Sequence, residues 1–380
     1  MKITTDCRYI NASGIGRYIQ NIVSRIIKED EFNFNLIVQE KDINKFGFLK
    51  HSNVNLIIDD SKMYSVQEQI NIPLKVPKSD IFWHPHYNIP ILPINAQHIV
   101  VTIHDMYHMV NIREFNLIQQ IYIKNVMKNA VRKANKIITI SNFSKQEIIK
   151  YTGVSSKKIK VIYPAVDTAQ FKALEDKEFL YEKILQKYNI SKRFILYVGN
   201  VKPHKNVVGL LNAYAIAKKY LPNDLKLVIA GESENFISKI TNISKIISDL
   251  SMSSDVIFTG YIEDADLPVL YNLAEFFVFP SLYEGFGLPP LEAMACGCPV
   301  IASSVASISE ACGDAVLYCY PYNTDGITQK IVQLAKDDNL KSTLRKKGLE
   351  KVKIFSWDKA AEEHIKLFKE IMDKGGKPLL

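Results

Sequence analysis

One stretch in the second half of the chain constrains the fold more than any other. The apolar run Phe276–Phe279 is typical of a buried strand. A glycine-containing loop follows it, then two prolines, then the helix-forming run 291–295, with Gly297 as a plausible stop. The pattern predicts a strand, a flexible loop and the start of a helix. Exposed backbone N–H groups at such a helix start attract anions, phosphates in particular.

Two carboxylates lie in this stretch, Glu284 in the loop and Glu292 in the expected first turn of the helix, with seven residues between them. Carboxylates beside an anion site do not bind the anion, because like charges repel. They accept hydrogen bonds from hydroxyl groups, so sugar hydroxyls are good partners for them. The alternative is that Glu292 only complements the helix dipole and Glu284 is an ordinary loop charge. The pattern alone leaves both interpretations open.

The order Ser-Leu-Tyr-Glu-Gly-Phe-Gly-Leu-Pro-Pro-Leu-Glu, residues 281–292, resembles the E-x7-E signature of retaining GT-B glycosyltransferases. The closest-looking group is family 4, which includes many bacterial mannosyltransferases. Matching residues occur at intervals from Met1 to the helix near Trp357. The resemblance, together with strand–helix alternation through both halves, implies an α/β protein of the GT-B class, with two Rossmann-like domains facing across a cleft.

The resemblance also implies roles for individual residues on the donor side. Glu292 would bind the ribose hydroxyls, Glu284 would hold the sugar and count as catalytic only by positioning it, and Lys205 would stabilise the leaving diphosphate. Further donor contacts implied in this way, some through the backbone alone, come from Gly14, Gly16, Ile262, Phe286, Gly287 and Leu288.

The turn after the apolar strand 193–199 supports a diphosphate site in the second domain. Lys202 and Lys205 lie in it, just before a predicted helix, 207–220. Positive charge at a strand-to-helix turn suits a diphosphate, since the helix N-terminus adds its own partial charge. Relatives often carry Arg where Asn200 or His204 stands here, so we expect the phosphate clamp to depend on Lys205 and Lys202.

The first domain offers its own candidates at the ends of predicted strands. Gly14 and Gly16 form a glycine loop that opens a helix; Ile19 replaces a third glycine, so a plain tight turn is the alternative to a ligand loop. The strand beginning at Ile81 runs into a proline-rich loop with His84, His86 and Tyr87, which line an acceptor pocket or serve as ordinary packing.

The strand 98–103 ends at His104-Asp105. In an open α/β sheet the carboxyl ends of strands face the ligand crevice. Family members carry a comparable His-Asp near the reacting sugar, so His104 is the predicted active-site residue of the first domain.

A metal cofactor is not expected. Asp264 and Asp266 form an Asp-x-Asp string that binds a metal–nucleotide in a different glycosyltransferase fold, GT-A. Here the string precedes a predicted helix, 267–273, where acidic residues suit the N-terminus. Cys296 and Cys298 have no second Cys/His pair close by and are expected to be core residues, and the five scattered cysteines indicate a reducing compartment.

The net charge of +8 is unevenly placed. Residues 1–167 hold 22 Lys and Arg against 14 Asp and Glu, whereas the remainder holds 26 of each. No nucleic-acid motif accompanies this excess, so an anionic membrane surface or a diphosphate-bearing acceptor is the expected partner. The predicted helix 113–136 places Lys124, Lys128 and Arg132 on one face, which is either solvated or membrane-facing.

No apolar run reaches membrane-spanning length and no signal-peptide pattern is present, so the expected location is cytoplasmic, peripheral on the inner face of the cell membrane. The expected domains are 1–170 with a closing helix 357–373, a linker 171–192, and 193–356.

The predicted function is retaining transfer of a hexose, mannose from GDP-mannose, to a polyprenyl-diphosphate-linked or polysaccharide acceptor in surface glycan synthesis of the O-antigen or capsule type. One alternative is a UDP-sugar-dependent enzyme that transfers glucose, galactose or N-acetylhexosamine. Two others belong to different classes: a non-hydrolysing UDP-sugar epimerase and an inactive nucleotide-sugar-binding scaffold.

Overall fold

The protein is described from a computed structural model that covers residues 1–45, 51–175, 178–231 and 243–373. It divides into two compact units, Met1–Pro164 with the segment from Ser356 onward, and Ala165–Phe355. Residues 171–192, expected as a linker, lie in the second unit. Each unit is an α/β layer structure around its own parallel sheet.

The first unit is built on seven parallel strands in the order β3-β2-β1-β4-β5-β6-β7. The strands are β1 (Lys2–Asp6), β2 (Asn33–Val38), β3 (Val54–Ile58), β4 (Ser79–His84), β5 (Ala96–Thr102), β6 (Lys136–Thr139) and β7 (Ile159–Val161). The helices between them are α1 (Ser13–Ile26), α2 (Val66–Lys75), α3 (Tyr107–Val110), α4 (Leu117–Lys133) and α5 (Asn142–Thr152).

The second unit contains six parallel strands in the order β10-β9-β8-β11-β12-β13. The strands are β8 (Phe194–Val198), β9 (Lys226–Ala230), β10 (Val256–Gly260), β11 (Phe276–Phe279), β12 (Val300–Ser303) and β13 (Leu317–Cys319). The helices are α6 (Glu178–Lys187), α7 (Val207–Ala217), α8 (Ile243–Asp249), α9 (Leu267–Leu273), α10 (Leu288–Ala295), α11 (Ile308–Cys312), α12 (Thr324–Lys336) and α13 (Asp338–Val352).

The last helix, α14 (Trp357–Asp373), belongs to the first unit. It packs on α1, where the Tyr18 hydroxyl lies 2.6 Å from Nε2 of His364. At the surface, Nε of Arg25 donates to Asp358 at 2.7 Å. Within the described ranges, no helix combines the length and the apolar character needed to cross a bilayer.

Caps and turns set several helix boundaries at places that differ from the sequence expectation. Helix α5 begins after Ser141, whose side chain accepts from the N–H of Ser144, and not after Ser144 as its spacing with Glu147 suggested. Asn116 and Gln119 form a capping box at the start of α4, which is therefore shorter than the predicted 113–136.

Both sheets reverse their strand order beside their first strand, between β1 and β4 and between β8 and β11. In open parallel sheets ligands bind outside the carboxyl ends of the strands at such a switch point. The segments that follow β1 and β4, and those that follow β8 and β11, are the ones in which the sequence pattern places its candidate residues. Topology therefore makes these two edges the places to search for a site.

Candidate active site

The switch point of the second unit joins the two loops that carry the predicted donor residues. Nζ of Lys205, in the turn after β8, lies 2.6 Å from Oε1 of Glu284, in the loop after β11. Both side chains are partly exposed, at 19% and 14%. The same ammonium lies 5.6 Å from the ring centroid of Phe279, the last residue of β11. The structure thus brings the predicted phosphate cation and the predicted sugar carboxylate into direct contact.

Backbone groups hold the two loops in this position. The N–H of Leu282 donates to the carbonyl of His204 at 2.7 Å. Asn206, with a positive φ of 57°, donates through Nδ2 to the carbonyl of Pro280 at 3.2 Å. Ser307 Oγ donates to the carbonyl of Glu284 at 2.9 Å. The bond from Ser307 uses the main-chain carbonyl of Glu284. It therefore fixes the backbone of Glu284 without engaging its carboxylate.

Helix α10 starts earlier than the sequence suggested, and this changes the interpretation of Glu292. The helix begins at Leu288, directly after Gly287, whose φ of 113° favours glycine. Glu292 is therefore the fifth helical residue, and no acidic residue lies in the first turn. It is 97% buried, and the Tyr271 hydroxyl donates to its Oε2 at 3.3 Å. The dipole interpretation of Glu292 is wrong, because a buried carboxylate in the second turn needs specific partners.

Several other predicted donor residues are buried in the second unit. The side chain of Phe286 is buried and packs edge-on against Phe355 at 5.2 Å between ring centroids. Ile262, after β10, is also buried. Any ligand contact by these two residues would have to come from the backbone, as the resemblance implies for Phe286. Lys202 precedes the 3₁₀ turn Pro203–Lys205, and its donor role stays a prediction.

The Asp-x-Asp string is engaged by side chains of its own unit. Oδ2 of Asp266 accepts from Nζ of Lys187 at 2.6 Å and from the hydroxyl of Tyr188 at 2.8 Å. Glu263 also lies 2.8 Å from the same ammonium. Lys187 and Tyr188 lower the pKa of Asp266 against the opposing effect of partial burial. These contacts give Asp266 a structural use, and metal independence remains a prediction.

In the first unit the two glycines lie inside α1 and not in a loop before it. A Cβ on Gly16 would come within 2.1 Å of the carbonyl oxygen of Ile10, so glycine is required for the helix to pack on the preceding 3₁₀ turn Arg8–Asn11. Gly14 has open space around its Cα. The structure gives Gly16 a packing reason, and the donor role of both residues stays a prediction.

The predicted acceptor residues form one cluster at the end of β4. His84 is buried and its Nδ1 lies 2.6 Å from the carbonyl oxygen of His86. The ring of His86 stacks on Tyr9 with centroids 4.9 Å apart, and the tilted ring of Tyr87 has its centroid 4.2 Å from that of His86. Burial lowers the pKa of His86 well below its usual range, so a neutral ring is expected at neutral pH. The cluster is aromatic and buried, and its role on the acceptor side stays a prediction.

His104 lies at the same edge, two residues beyond the end of β5. Nε2 donates to the carbonyl of Pro85 at 2.9 Å, and Tyr18 meets the ring edge-on at 4.9 Å. That bond assigns the proton of the neutral ring to Nε2 and leaves the lone pair on Nδ1. Burial lowers the pKa of His104, which favours this neutral form. The arrangement can accept a proton or a hydroxyl hydrogen bond at Nδ1.

A buried ion cluster, which the sequence pattern did not indicate, adjoins these residues. The guanidinium of Arg8 contacts the carboxylates of Asp6, Asp59 and Glu68 at 2.7, 2.9 and 2.7 Å, and all four side chains are fully buried. Oδ2 of Asp6 also lies 3.2 Å from Nε2 of His84. Asp6 and Arg8 at the end of the first strand were a local signal, but their remote partners were not readable from spacing.

Comparisons with known proteins agree with this architecture. The model of the family described as Glycosyltransferase Family 4 matches residues 56–170, and that of Glycosyl transferases group 1 matches residues 181–351. O-antigen chain mannosyltransferase B of Escherichia coli is 31% identical over 296 residues, which span 77% of this chain and 74% of the relative.

Two solved structures show the same fold at low sequence identity. HepE of Anabaena, solved in complex with UDP and glucose, has a TM-score of 0.76 at 17% identity and covers 97% of this chain and 100% of its own. WaaG, a glycosyltransferase involved in lipopolysaccharide biosynthesis, has a TM-score of 0.75 at 16% identity and covers 97% and 99%. By its matches along both units, the chain belongs to glycosyltransferase family 4 and is an enzyme of the GT-B fold.

Proposed function

We propose that the protein transfers mannose from GDP-mannose, with retention of configuration, to a growing lipid-linked surface polysaccharide. The observation that carries this proposal is the contact between Lys205 and Glu284 at the switch point of the second sheet. The relative at 31% identity is named as an O-antigen chain mannosyltransferase, which supports mannose and a glycan acceptor. Family membership favours group transfer over the epimerase and scaffold alternatives.

The geometry of the pair suits a sugar diphosphate. An ammonium and a carboxylate held 2.6 Å apart present opposite charges to a ligand that carries both an anionic diphosphate and neutral hydroxyls. On binding, Lys205 would exchange its carboxylate partner for the diphosphate, and Glu284 would turn to the sugar hydroxyls. The ammonium then neutralises the charge that develops as the glycosidic bond breaks.

We assign Glu284 a positioning role and not a nucleophilic one. Once Lys205 has turned to the diphosphate, the Glu284 carboxylate accepts hydrogen bonds from the sugar hydroxyls, and these bonds fix the sugar's orientation. The leaving phosphate would then take the proton of the acceptor hydroxyl on the same face of the sugar. No metal enters this scheme, since Lys205 and Lys202 supply the positive charge.

The acceptor side is assigned to the first unit. The neutral His104 offers Nδ1 as a hydrogen-bond acceptor for a hydroxyl, and His86 and Tyr87 lie in the buried aromatic cluster beside it. The net charge of +8 lies in the same part of the sequence and suits an acceptor carried on a polyprenyl diphosphate. Lipid linkage makes a membrane surface the expected place of work.

Nucleotide release measured with a panel of donors tests this function. Purified protein is incubated with GDP-mannose, UDP-glucose, UDP-galactose and UDP-N-acetylglucosamine, each with and without a lipid-linked mannosyl acceptor. We expect acceptor-dependent release of GDP from GDP-mannose, and an α-anomeric product from the α-linked donor.

Each other outcome points to a different function. Acceptor-dependent release of UDP would move the donor to a UDP-hexose and keep the glycosyltransferase. Interconversion of a UDP-sugar without acceptor would indicate the epimerase. Binding of a nucleotide sugar with no turnover under any condition would favour the scaffold.

A further inference from the structure

We propose that one face of the first unit is a docking surface for an anionic lipid bilayer. The surface consists of eight exposed aliphatic side chains on α2, on the segment after β4 and on the start of α4. We call it the apolar surface, and its members are Val66, Ile70, Leu74, Ile91, Leu92, Leu117, Ile118 and Ile121.

The contribution of α2 is a stripe at helical spacing. Val66, Ile70 and Leu74 recur every four residues, so they lie along one side of the helix, and they are 45–79% exposed. The opposite side of α2 holds the buried Ile72 and Glu68. An amphipathic helix normally turns its apolar side to the core. Here an apolar stripe faces solvent as well.

Helix α4 repeats this feature with a change of chemistry along its length. Leu117, Ile118 and Ile121 are 62–81% exposed in its first turns. The same exposed side continues into Lys124 and Lys128. One face therefore passes from aliphatic to basic within three turns of helix.

Hydrogen bonds join the three segments into one surface. Ile91 N–H donates to Oε1 of Gln69 on α2 at 2.7 Å. Lys133, at the end of α4, donates through Nζ to the carbonyl of Leu92 at 2.8 Å. The hydroxyl of Tyr122 on α4 donates to Asn88, which in turn donates to Glu68 on α2 at 2.9 Å. The segment 88–92 thus bridges the two helices.

The charge around the apolar surface is positive. Residues 61–78, 88–98 and 111–133 contain two acidic residues, the buried Glu68 and Glu114, which accepts from the Tyr107 hydroxyl at 2.6 Å. Exposed basic side chains lie on α4 and in the chain just before and just after α2: Lys124, Lys128 and Arg132, with Lys62 and Lys78. Aliphatic side chains that enter the acyl boundary below lysines that meet anionic headgroups are the pattern of an interfacial membrane surface.

The charge also decides between a bilayer and a second copy of the chain. A two-fold contact through this surface would bring two copies of the same basic rim together, and like charges at a rim oppose association. An anionic membrane satisfies the aliphatic side chains and the rim at once. Exposed aliphatic side chains in the described part of the second unit are isolated, namely Ile216 and Ile354.

The apolar surface borders the aromatic cluster assigned to the acceptor. Tyr64, which adjoins Val66, lies 3.3 Å through its hydroxyl from Nε2 of His86. Tyr122, one turn after Ile118, bonds Asn88 beside Tyr87. A lipid-linked glycan can therefore keep its chain in the bilayer while its sugars reach the cluster. This last step depends on the proposed acceptor, whereas bilayer binding itself does not.

Vesicle co-sedimentation of the full-length protein tests the proposal. Vesicles of phosphatidylcholine with phosphatidylglycerol are compared with vesicles of phosphatidylcholine alone. We expect the parent protein to bind the anionic vesicles. The partition coefficient of the triple variant Leu117→Ser, Ile118→Ser, Ile121→Ser should be lower by about tenfold or more. Lys124→Glu with Lys128→Glu should reduce binding to anionic vesicles about tenfold.

The control variant carries Ile216→Ser and Ile354→Ser in the second unit and should bind like the parent protein. Two results overturn the proposal: a parent protein that stays in the supernatant with anionic vesicles, or a triple variant that binds as well as the parent. Sedimentation velocity without lipid adds a third, since self-association lost in the triple variant would make the occupant a second copy. Vesicle binding does not require turnover, so an inactive enzyme would leave this test intact.

Discussion

Both sheets reverse their strand order beside their first strand. The charged residues near this switch point are buried in the first unit and partly exposed in the second. In the first unit Arg8 is locked among Asp6, Asp59 and Glu68, with all four side chains fully buried. In the second unit Lys205 contacts Glu284, and both side chains are partly exposed. The same topological position thus serves as a structural anchor in one unit and as an exchangeable pair in the other.

The difference follows from the energetics of desolvation. Burial alone raises the pKa of Asp6, but Arg8 and His84 reverse this and hold it well below its usual range. Burial likewise raises the pKa of Glu68 against the opposing charge of Arg8. A fully desolvated cluster cannot release a member without stranding a charge. A partly solvated pair can, because water replaces the lost partner while a ligand enters.

Replacing Arg8 tests whether the buried cluster anchors the first unit. Arg8→Met leaves three buried carboxylates without their common cation, so we expect a loss of about 3–5 kcal/mol in the free energy of unfolding, or failure to fold. Chemical denaturation of the purified protein measures the loss. A variant with unchanged stability would show that the cluster does not anchor the first unit.

Arg25→Met provides the matched control. Arg25 also pairs with a carboxylate, Asp358, but their side chains are 30% and 78% exposed. Its removal should change stability far less than removal of Arg8, since exposed pairs contribute little. Equal losses for the two variants would contradict the assignment of the large effect to burial.

The exchangeable pair should show the opposite pattern. Lys205→Ala should lower kcat/KM by about 100-fold to 1,000-fold, because the leaving diphosphate of the proposed reaction would lose its cation. The free energy of unfolding should change little, since the pair is partly solvated. Steady-state kinetics with the donor found active in the panel, and denaturation of the same preparation, measure both.

Glu284→Gln and Lys336→Ala complete this test. Glu284→Gln keeps the shape of the side chain but removes the charge that would orient the sugar in the proposed reaction, so turnover should also fall. Lys336, an exposed lysine near the end of α12, should tolerate alanine without change. A Lys205→Ala enzyme with normal kcat/KM would remove the central observation of the proposed function.

The free energy of unfolding should also depend on pH through His364, a buried side chain of the first unit. Nδ1 of His364 donates to the carbonyl of Ala360 at 2.6 Å, so Nε2 accepts from Tyr18 in the neutral ring. Burial lowers the pKa of His364 from 6.5 to about 4. Between these values the unfolded chain binds a proton that the folded chain does not, so acidification lowers stability, by about 3 kcal/mol at the acid end.

The difference between parent and His364→Gln isolates this contribution. Denaturation at several pH values between 7 and 4 should show a steeper loss for the parent protein than for the variant. His51→Gln changes an exposed histidine and should keep the parent slope. Parallel curves for the parent protein and His364→Gln would show that His364 titrates normally in the folded state.

Sequence reasoning placed the strands well because buried parallel strands are unbroken apolar runs. Phe276–Phe279 has the predicted bounds, and the predicted strand 193–199 contains β8, Phe194–Val198. Helix α2 was not predicted, since Pro73 interrupts its pattern. A signal existed, for Ser65 and Glu68 have capping-box spacing and the Ser65 side chain accepts from the N–H of Glu68.

The site was only partly readable for a physical reason. The E-x7-E spacing identified Glu284 and Glu292 as site candidates. It could do so because both lie in one short segment, a loop and the helix that directly follows it. Two of the three carboxylates around Arg8, those of Asp59 and Glu68, are 51 and 60 residues away along the chain. Tyr271 likewise reaches Glu292 from α9 across 21 residues. Long-range pairing of this kind has no local sequence pattern.

Tyr271→Phe tests whether that buried phenol positions Glu292, the carboxylate expected to bind the ribose. Loss of its bond to Glu292 should raise KM for the donor about fivefold and leave kcat nearly unchanged, since the bond acts on binding and not on the reacting bond. Tyr214→Phe is the matched control, because it removes another buried phenol bond, to the carbonyl of Leu225 at 2.8 Å. Equal KM values for Tyr271→Phe and Tyr214→Phe would mean that Glu292 is held without the phenol. A raised KM for Tyr271→Phe alone would show that the second switch point depends on a buried contact as well as on the partly exposed pair. The two switch points would then differ less in their dependence on buried contacts.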